Sequence, residues 1–156
     1  MTSCLSRIVL TAGLTAFLLI AAPVAHADAG TKTVGTAQGF DETVARLEKS
    51  ITDNKMGLVA QASASRGAVS RGVKIPGNVV LMVFRNDFAV RMLKASVPAG
   101  IEAPLRIYVT EEPAGTSITY RTPSATFKPY GNSELDAMAR ELDPIFAKIV
   151  ADAIEY

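Results

Sequence analysis

Thiol and imidazole are nearly missing from this sequence: one cysteine, one histidine and no tryptophan occur in 156 residues. Both Cys4 and His26 precede residue 28, in a segment that reads as a removable export signal. Arg7 supplies a short positive start, Ile8 to Ala22 carries no charge, and Pro23 ends the apolar run. Ala25-His26-Ala27 then gives the small-x-small pattern of a signal-peptidase site, so the expected cut falls after Ala27. The apolar run is shorter than the roughly 18 to 20 residues that a membrane-spanning helix needs. Lipid attachment would need a cysteine just after that run, whereas Cys4 precedes it. The expected product is a periplasmic or secreted protein of residues 28–156, with no membrane association after cleavage.

What the mature chain lacks excludes much chemistry. Without Cys or His it offers no zinc site of the usual ligands, no thiolate nucleophile, no disulfide and no His-based triad. Arg7 leaves with the signal, so 15 basic residues face 15 acidic ones. A nucleic-acid binder carries a basic excess, and that balance argues against one. Met56, Met82, Met92 and Met138 are soft donors, and a haem or copper chaperone using Met and Tyr is one alternative. Three of the four fall on apolar periodic faces, which favours packing over ligation. No cofactor and no metal are expected.

What is present is apolar periodicity. Residues 28–38 form a loose leader and a weak first strand. Phe40, Val44, Leu47 and Ile51 make one helical stripe over about Asp41 to Asn54, with Asp41 as N-cap and Gly57 as stop. Leu58 to Ala64 reads as a short strand, and Ser65 to Pro76 as a short helix or loop. In Asn78 to Phe84 both alternating sets, Val79-Leu81-Val83 and Val80-Met82-Phe84, are apolar, so this strand should be covered on both faces. Helices can cover one face; the other calls for a partner chain, further protein or a ligand. Asn86 to Ser96 predicts a short helix with Phe88, Met92 and Leu93 turned inward. Leu105 to Thr110 and Ser117 to Tyr120 predict a hairpin around Pro113-Ala114-Gly115, closed by Pro123. A last helix begins at Ser133, capped in a box with Asp136, and buries Leu135, Met138, Leu142, Phe146, Ile149 and Ala153. Pro144 should kink or divide it. The order β-α-β-β-β-β-α, with a short inserted helix, predicts an α+β domain over residues 39–156, a mostly antiparallel sheet with helices packed on one face.

From Phe40 to Ala153 the chain resembles the exported branch of domain-of-unknown-function family 302. Val83-Phe84-Arg85-Asn86-Asp87 is similar to the family's strand ending in Phe-Gly-Asn-Pro, and Ala103-Pro104-Leu105-Arg106 to its Leu-Pro-Leu-Lys/Arg. Val109-Thr110-Glu111-Glu112 with Gly115 resembles its acidic turn, and Tyr120-Arg121-Thr122-Pro123 its Tyr-Asn-Asp-Pro ending. The resemblance implies a TATA-binding-protein-like fold, though a fold does not bring DNA binding with it. Where many members have Ile-Asp-His after the second strand, this chain has Ala62-Ser63-Ala64, so a role resting on that Asp and His is closed to it. Arg85 and Asp87 replace the usual Gly and Pro of the turn.

The residues left as ligand-binding candidates are Asn86, Arg106, Tyr108 and Tyr120, with Glu111 as the catalytic candidate. Asn86 either faces a ligand cleft or caps the helix after it. Arg106 shares a strand face with Tyr108 and Thr110, where it could clamp an anion or lie along the surface. Glu111 and Glu112 could supply an acid/base group, but alternation aims them apart beside a turn. The expected function is a non-catalytic small-ligand-binding or protein-interaction module. It is expected as a homodimer through the second sheet face, or with a small apolar or anionic ligand there. The alternative is a carboxylate-based enzyme acting on a small anionic periplasmic substrate, with Glu111 as acid/base and Arg106 holding the anion.

Overall fold

The computed structural model describes residues 30–155, and the expected export signal lies outside them. The elements run β1 (Thr31–Thr36), α1 (Phe40–Asp53), β2 (Gly57–Ala62), α2 (Ala64–Val69), β3 (Asn78–Phe84), α3 (Asn86–Ala95), β4 (Leu105–Glu112), β5 (Gly115–Arg121), α4 (Pro123–Phe127) and α5 (Ser133–Ile154). Short 3-10 turns sit at Val97–Glu102 and Lys128–Tyr130. The strands form one antiparallel sheet in the order β1-β5-β4-β3-β2, with the helices packed on one face. This is the α+β architecture expected from the sequence.

Alternation along each strand decides what lies under the helices. Val79, Leu81 and Val83 of β3 are buried against Ile107 and Val109 of β4 and Ile118 of β5. Val44, Leu47 and Ile51 of α1 close over them, together with Leu135, Met138, Leu142, Phe146, Ile149 and Ala153 of α5. All six residues read as the inner stripe of α5 are buried. A buried hydroxyl joins the two long helices, Ser50 Oγ donating to the Ile149 carbonyl at 2.9 Å.

Several boundaries differ from the sequence reading, and each difference has a local cause. Helix α1 is capped by Gly39, whose carbonyl accepts from both the amide and the hydroxyl of Thr43; Asp41 sits in the first turn, where its charge suits the helix dipole. Its stop is Asn54 followed by Lys55 in the left-handed region at φ 61°, not Gly57, which opens β2. Strand β2 ends at Ala62 because Ser63 caps α2, its Oγ accepting from the Arg66 amide. Leu93 is 45% exposed, leaving Phe88 and Met92 as the inner face of α3. Helix α5 is capped by Asn132, one residue before Ser133, and Asn132 Oδ1 accepts from the amides of Glu134 and Leu135. Pro144 does not divide α5: it lies on the exposed side, where water can satisfy the carbonyl its ring nitrogen leaves free. Helix α4 lies where the sequence shows only Pro123 closing the hairpin. Thr122 caps it and Pro123 takes its first position, so the proline that ends β5 also starts a helix.

Candidate functional site

Among the described residues, no helix packs on the other face of the sheet. Register places Ala62, Val80, Tyr108, Thr119 and Thr33 in one row across it, with Ala60, Met82 and Arg106 in the next. The face therefore grades from apolar at β2 and β3 to polar at β4, β5 and β1. Val80, Met82 and Phe84 are half-buried, Tyr108 is 43% exposed, and Thr33 and Thr119 join hydroxyls at 3.0 Å. The doubly apolar character of β3 is thus used only on its helix side, by Val79, Leu81 and Val83.

A groove of about 280 Å³ opens where this face meets the lower ends of β4 and β5. The β4–β5 ladder ends at the pair Ile107 and Tyr120. Beyond it Leu105 and Arg106 continue along β3, while Arg121 leads into α4, and the strands part. Arg106, Tyr108, Thr119 and Val80 line the groove from the helix-free side. Tyr120, Leu105, Glu102 and Thr126 line it deeper, and Thr31 and Arg121 stand at its β1 side.

Three of the four residues read as ligand-binding candidates come together here. Arg106 is exposed, and its side chain has no hydrogen-bond or ion-pair partner among the described residues; the Tyr108 side chain has no hydrogen-bond partner there either. Tyr120 is only 7% exposed, packed against the Phe146 ring at 6.0 Å between centroids. Burial pushes its phenol above the ordinary value of 10.0, and the Asp143 carboxylate adds to the shift, so at neutral pH it is a hydrogen-bond donor. Asp143 is itself held by the amide and hydroxyl of Ser124 at the start of α4, at 2.9 and 2.5 Å. Glu102 accepts from the Tyr130 hydroxyl at 2.9 Å, which fixes the far wall. Glu102 and Thr126 escaped the sequence reading because they belong to a 3-10 turn and to α4, neither of which shows as an apolar stripe.

Asn86 is not at the groove. It is the exposed first residue of α3, and the cap is Arg85, whose backbone is extended at φ −144° and ψ 125°. Capping by Asn86 does not occur, since the chain turns helical one residue earlier than that role requires. Arg85 spans Asp87 with two hydrogen bonds and lies 4.2 Å over the Phe88 ring, holding the Asp87 carboxyl below its ordinary range.

Glu111 is not at the groove either. It is five residues from Arg106 along β4, about 17 Å at the usual rise, and alternation turns the two to opposite faces. Its carboxylate accepts from the Gly77 amide at 2.6 Å while its own amide donates to the Gly77 carbonyl at 2.8 Å. Glu111 thus clamps the loop before β3. Met56, Met92 and Met138 are buried in the core, at 6%, 3% and 2% exposure, and Met82 lies on the helix-free face.

A family model described as domain of unknown function DUF302 matches residues 31–153. Among solved structures, the crystal structure of an uncharacterized conserved protein DUF302 from Bacillus stearothermophilus is similar, with a TM-score of 0.73 and 23% identity. That likeness covers 81% of this chain and 99% of the other, and it shows a shared fold. No curated protein matches the chain.

Proposed function

Because this chain belongs to the family described as domain of unknown function DUF302, whose description names no activity, we propose from its own geometry a non-catalytic binding module that holds a small ligand in the β4–β5 groove. One observation carries the reading: Arg106, Tyr108 and Tyr120 line a single groove, and none of their side chains has a hydrogen-bond partner among the described residues. Tyr120 is the buried member of the three, and a buried polar side chain without a partner in the fold is the feature that a bound ligand would explain. A carboxylate enzyme has less support, because Glu111 is engaged with Gly77 and faces away from Arg106. The module works after export, as a periplasmic or secreted protein cut after Ala27.

A second reading is favoured by a different observation on the same face. Val80, Met82 and Phe84 lie half-buried beside the exposed Ala60 and Ala62, with no element of the described residues above them. A second copy laid on that apolar half would make a homodimer and leave the groove end free. Native mass spectrometry and light scattering of protein exported by its own host test both readings. A bound small molecule that Arg106→Gln releases supports the first, and a dimer supports the second. A clean monomer with nothing bound overturns both.

A further inference from the structure

Leu105 is a wall of two spaces. Besides the groove it lines a second cavity, of about 30 Å³, that lies beneath α3 on the helix side of the sheet. The two run back to back: Glu102 and Thr126 line the groove, while their chain neighbours Ala103 and Phe127 line the cavity. Every side chain around the cavity is apolar except that of Arg85, whose guanidinium is engaged by Asp87 and lies over Phe88. A water needs roughly 10 to 15 Å³, so size alone would admit one, but the apolar side chains offer it no partner. Spaces of that kind stay dry and accept hydrocarbon. Of the four methionines among the described residues, Met56, Met92 and Met138 line this one cavity. Methionine is unbranched and repacks readily around a guest. The cover is also light: α3 buries Phe88 and Met92, and its Arg91 meets Glu141 of α5 in an exposed ion pair, a kind that holds weakly.

At the groove end, the Arg106 guanidinium has donors and no acceptor, and the Tyr120 phenol keeps its proton at neutral pH. A head that meets both is an oxygen acceptor. We propose that the groove and the cavity under α3 form one site for a small amphipathic molecule, with an oxygen head at Arg106 and Tyr120 and an unbranched apolar tail that passes Leu105 to lie among Met56, Met92 and Met138. This rests on the reading of the groove as the binding site, and adds to it a second compartment and the ligand class that would use both. The shared wall sets the path, the narrow cavity sets the unbranched tail, and the two donors set the oxygen head. Neutral and anionic heads both satisfy those donors, and the test separates them.

NMR titration of the exported protein, labelled at backbone amides and methionine methyls, tests it with two homologous series: ethanol, butanol and hexanol, and acetate, butyrate and hexanoate. Ethanol or acetate should shift only the amides of Leu105 to Tyr108, whereas hexanol or hexanoate should also shift the methyls of Met56, Met92 and Met138. Each methylene that enters the cavity should tighten binding by about four-fold. That dependence in either series supports the proposal, and the tighter series identifies the head. Ala89 lines the cavity from α3, so Ala89→Leu should fill it and remove the chain-length dependence while the groove shifts persist; the unmodified protein decides the proposal should this variant fail to fold. The proposal is overturned, and the groove reading left standing, if the groove amides shift but the six-carbon probes bind no tighter than the two-carbon ones or leave the three methyls unmoved. Methyl shifts without groove shifts overturn it too, because the cavity would then be separate. If no probe moves either set the proposal fails, and the native mass spectrum alone then decides the groove reading.

Discussion

Ile107 and Tyr120 face each other as the last pair of the β4–β5 ladder, and the groove begins where their pairing stops. Leu105 and Arg106 stay with β3 through Val83 and Met82, while β5 turns away into α4 at Thr122. A sheet that stayed zipped to its end would bring Arg106 against β5 and leave no space above Tyr120. Binding capacity in this reading comes from a local failure of pairing, made by a proline that starts a helix where the strand ends.

Tyr120 and Tyr130 both have phenols raised above the ordinary 10.0, Tyr120 by burial and Asp143, Tyr130 by burial and its bond to Glu102. In the unfolded chain these phenols ionise first, so between the unfolded and folded values the unfolded state binds fewer protons and gains ground. Their contribution to stability is therefore full below about pH 10 and is lost as pH rises through the folded values. Phenolate absorbance during alkaline titration should show a late phase, and Tyr120→Phe should shrink it. An unchanged late phase in that variant would contradict the burial and the Asp143 neighbour assigned to Tyr120.

Asn132 and Ser133 give a paired test of where α5 starts. Asn132 Oδ1 accepts from two first-turn amides and its Nδ2 donates to the Ala95 carbonyl at 3.0 Å. Asn132→Ala should cost about 1 to 2 kcal/mol, and Ser133→Ala should stay within about 0.5 kcal/mol. Denaturant melts of the two variants check this, and the reverse order would mean that the cap is Ser133.

Gly115 and Gly131 both have positive φ but differ in surroundings. At Gly115, φ is 141° and a Cβ would fall 2.1 Å from the Thr36 carbonyl oxygen, pressing the hairpin into β1; at Gly131, φ is 58° and a Cβ meets nothing within 4 Å. Gly131→Ala should cost roughly 1 kcal/mol from backbone conformation alone. Gly115→Ala should cost at least about 2 kcal/mol more, because backbone atoms must move. Equal thermal shifts for the two would contradict the β1–β5 register at that corner.

The export expectation has its own readout. Intact mass of the protein recovered outside the cytoplasm of its host should correspond to a chain starting at Asp28. A chain that keeps Met1 and the apolar run would overturn the cleavage after Ala27.

Periodicity made the core legible: the α1 stripe, the six inner residues of α5 and the inner set of β3 are where their spacing placed them. It could do so because a 3.6-residue or two-residue repeat is imposed by burial itself. Helix starts were less legible. Asp41, Asn86 and Ser133 each have a capping side chain, yet the caps are Gly39, Arg85 and Asn132, since the cap is set by where the backbone leaves the extended region. Strand alternation placed Arg106 and Tyr108 on one face correctly, but it could not show that Tyr120, on the opposite face, meets them at the ladder's end. That meeting depends on α4 and on the Val97–Glu102 turn, short segments without an apolar repeat. Asn86 and Glu111 matched family words as well as Arg106 did, and only the tertiary arrangement separates them from it.

The most direct measurement is a crystal structure of the exported protein purified from its own host without added ligands. The expected result is a small molecule in the β4–β5 groove, in contact with Arg106, Tyr108 and Tyr120. A groove closed by β4 and β5 pairing past Ile107 and Tyr120, or a ligand held elsewhere while Arg106 faces bulk water, would contradict it.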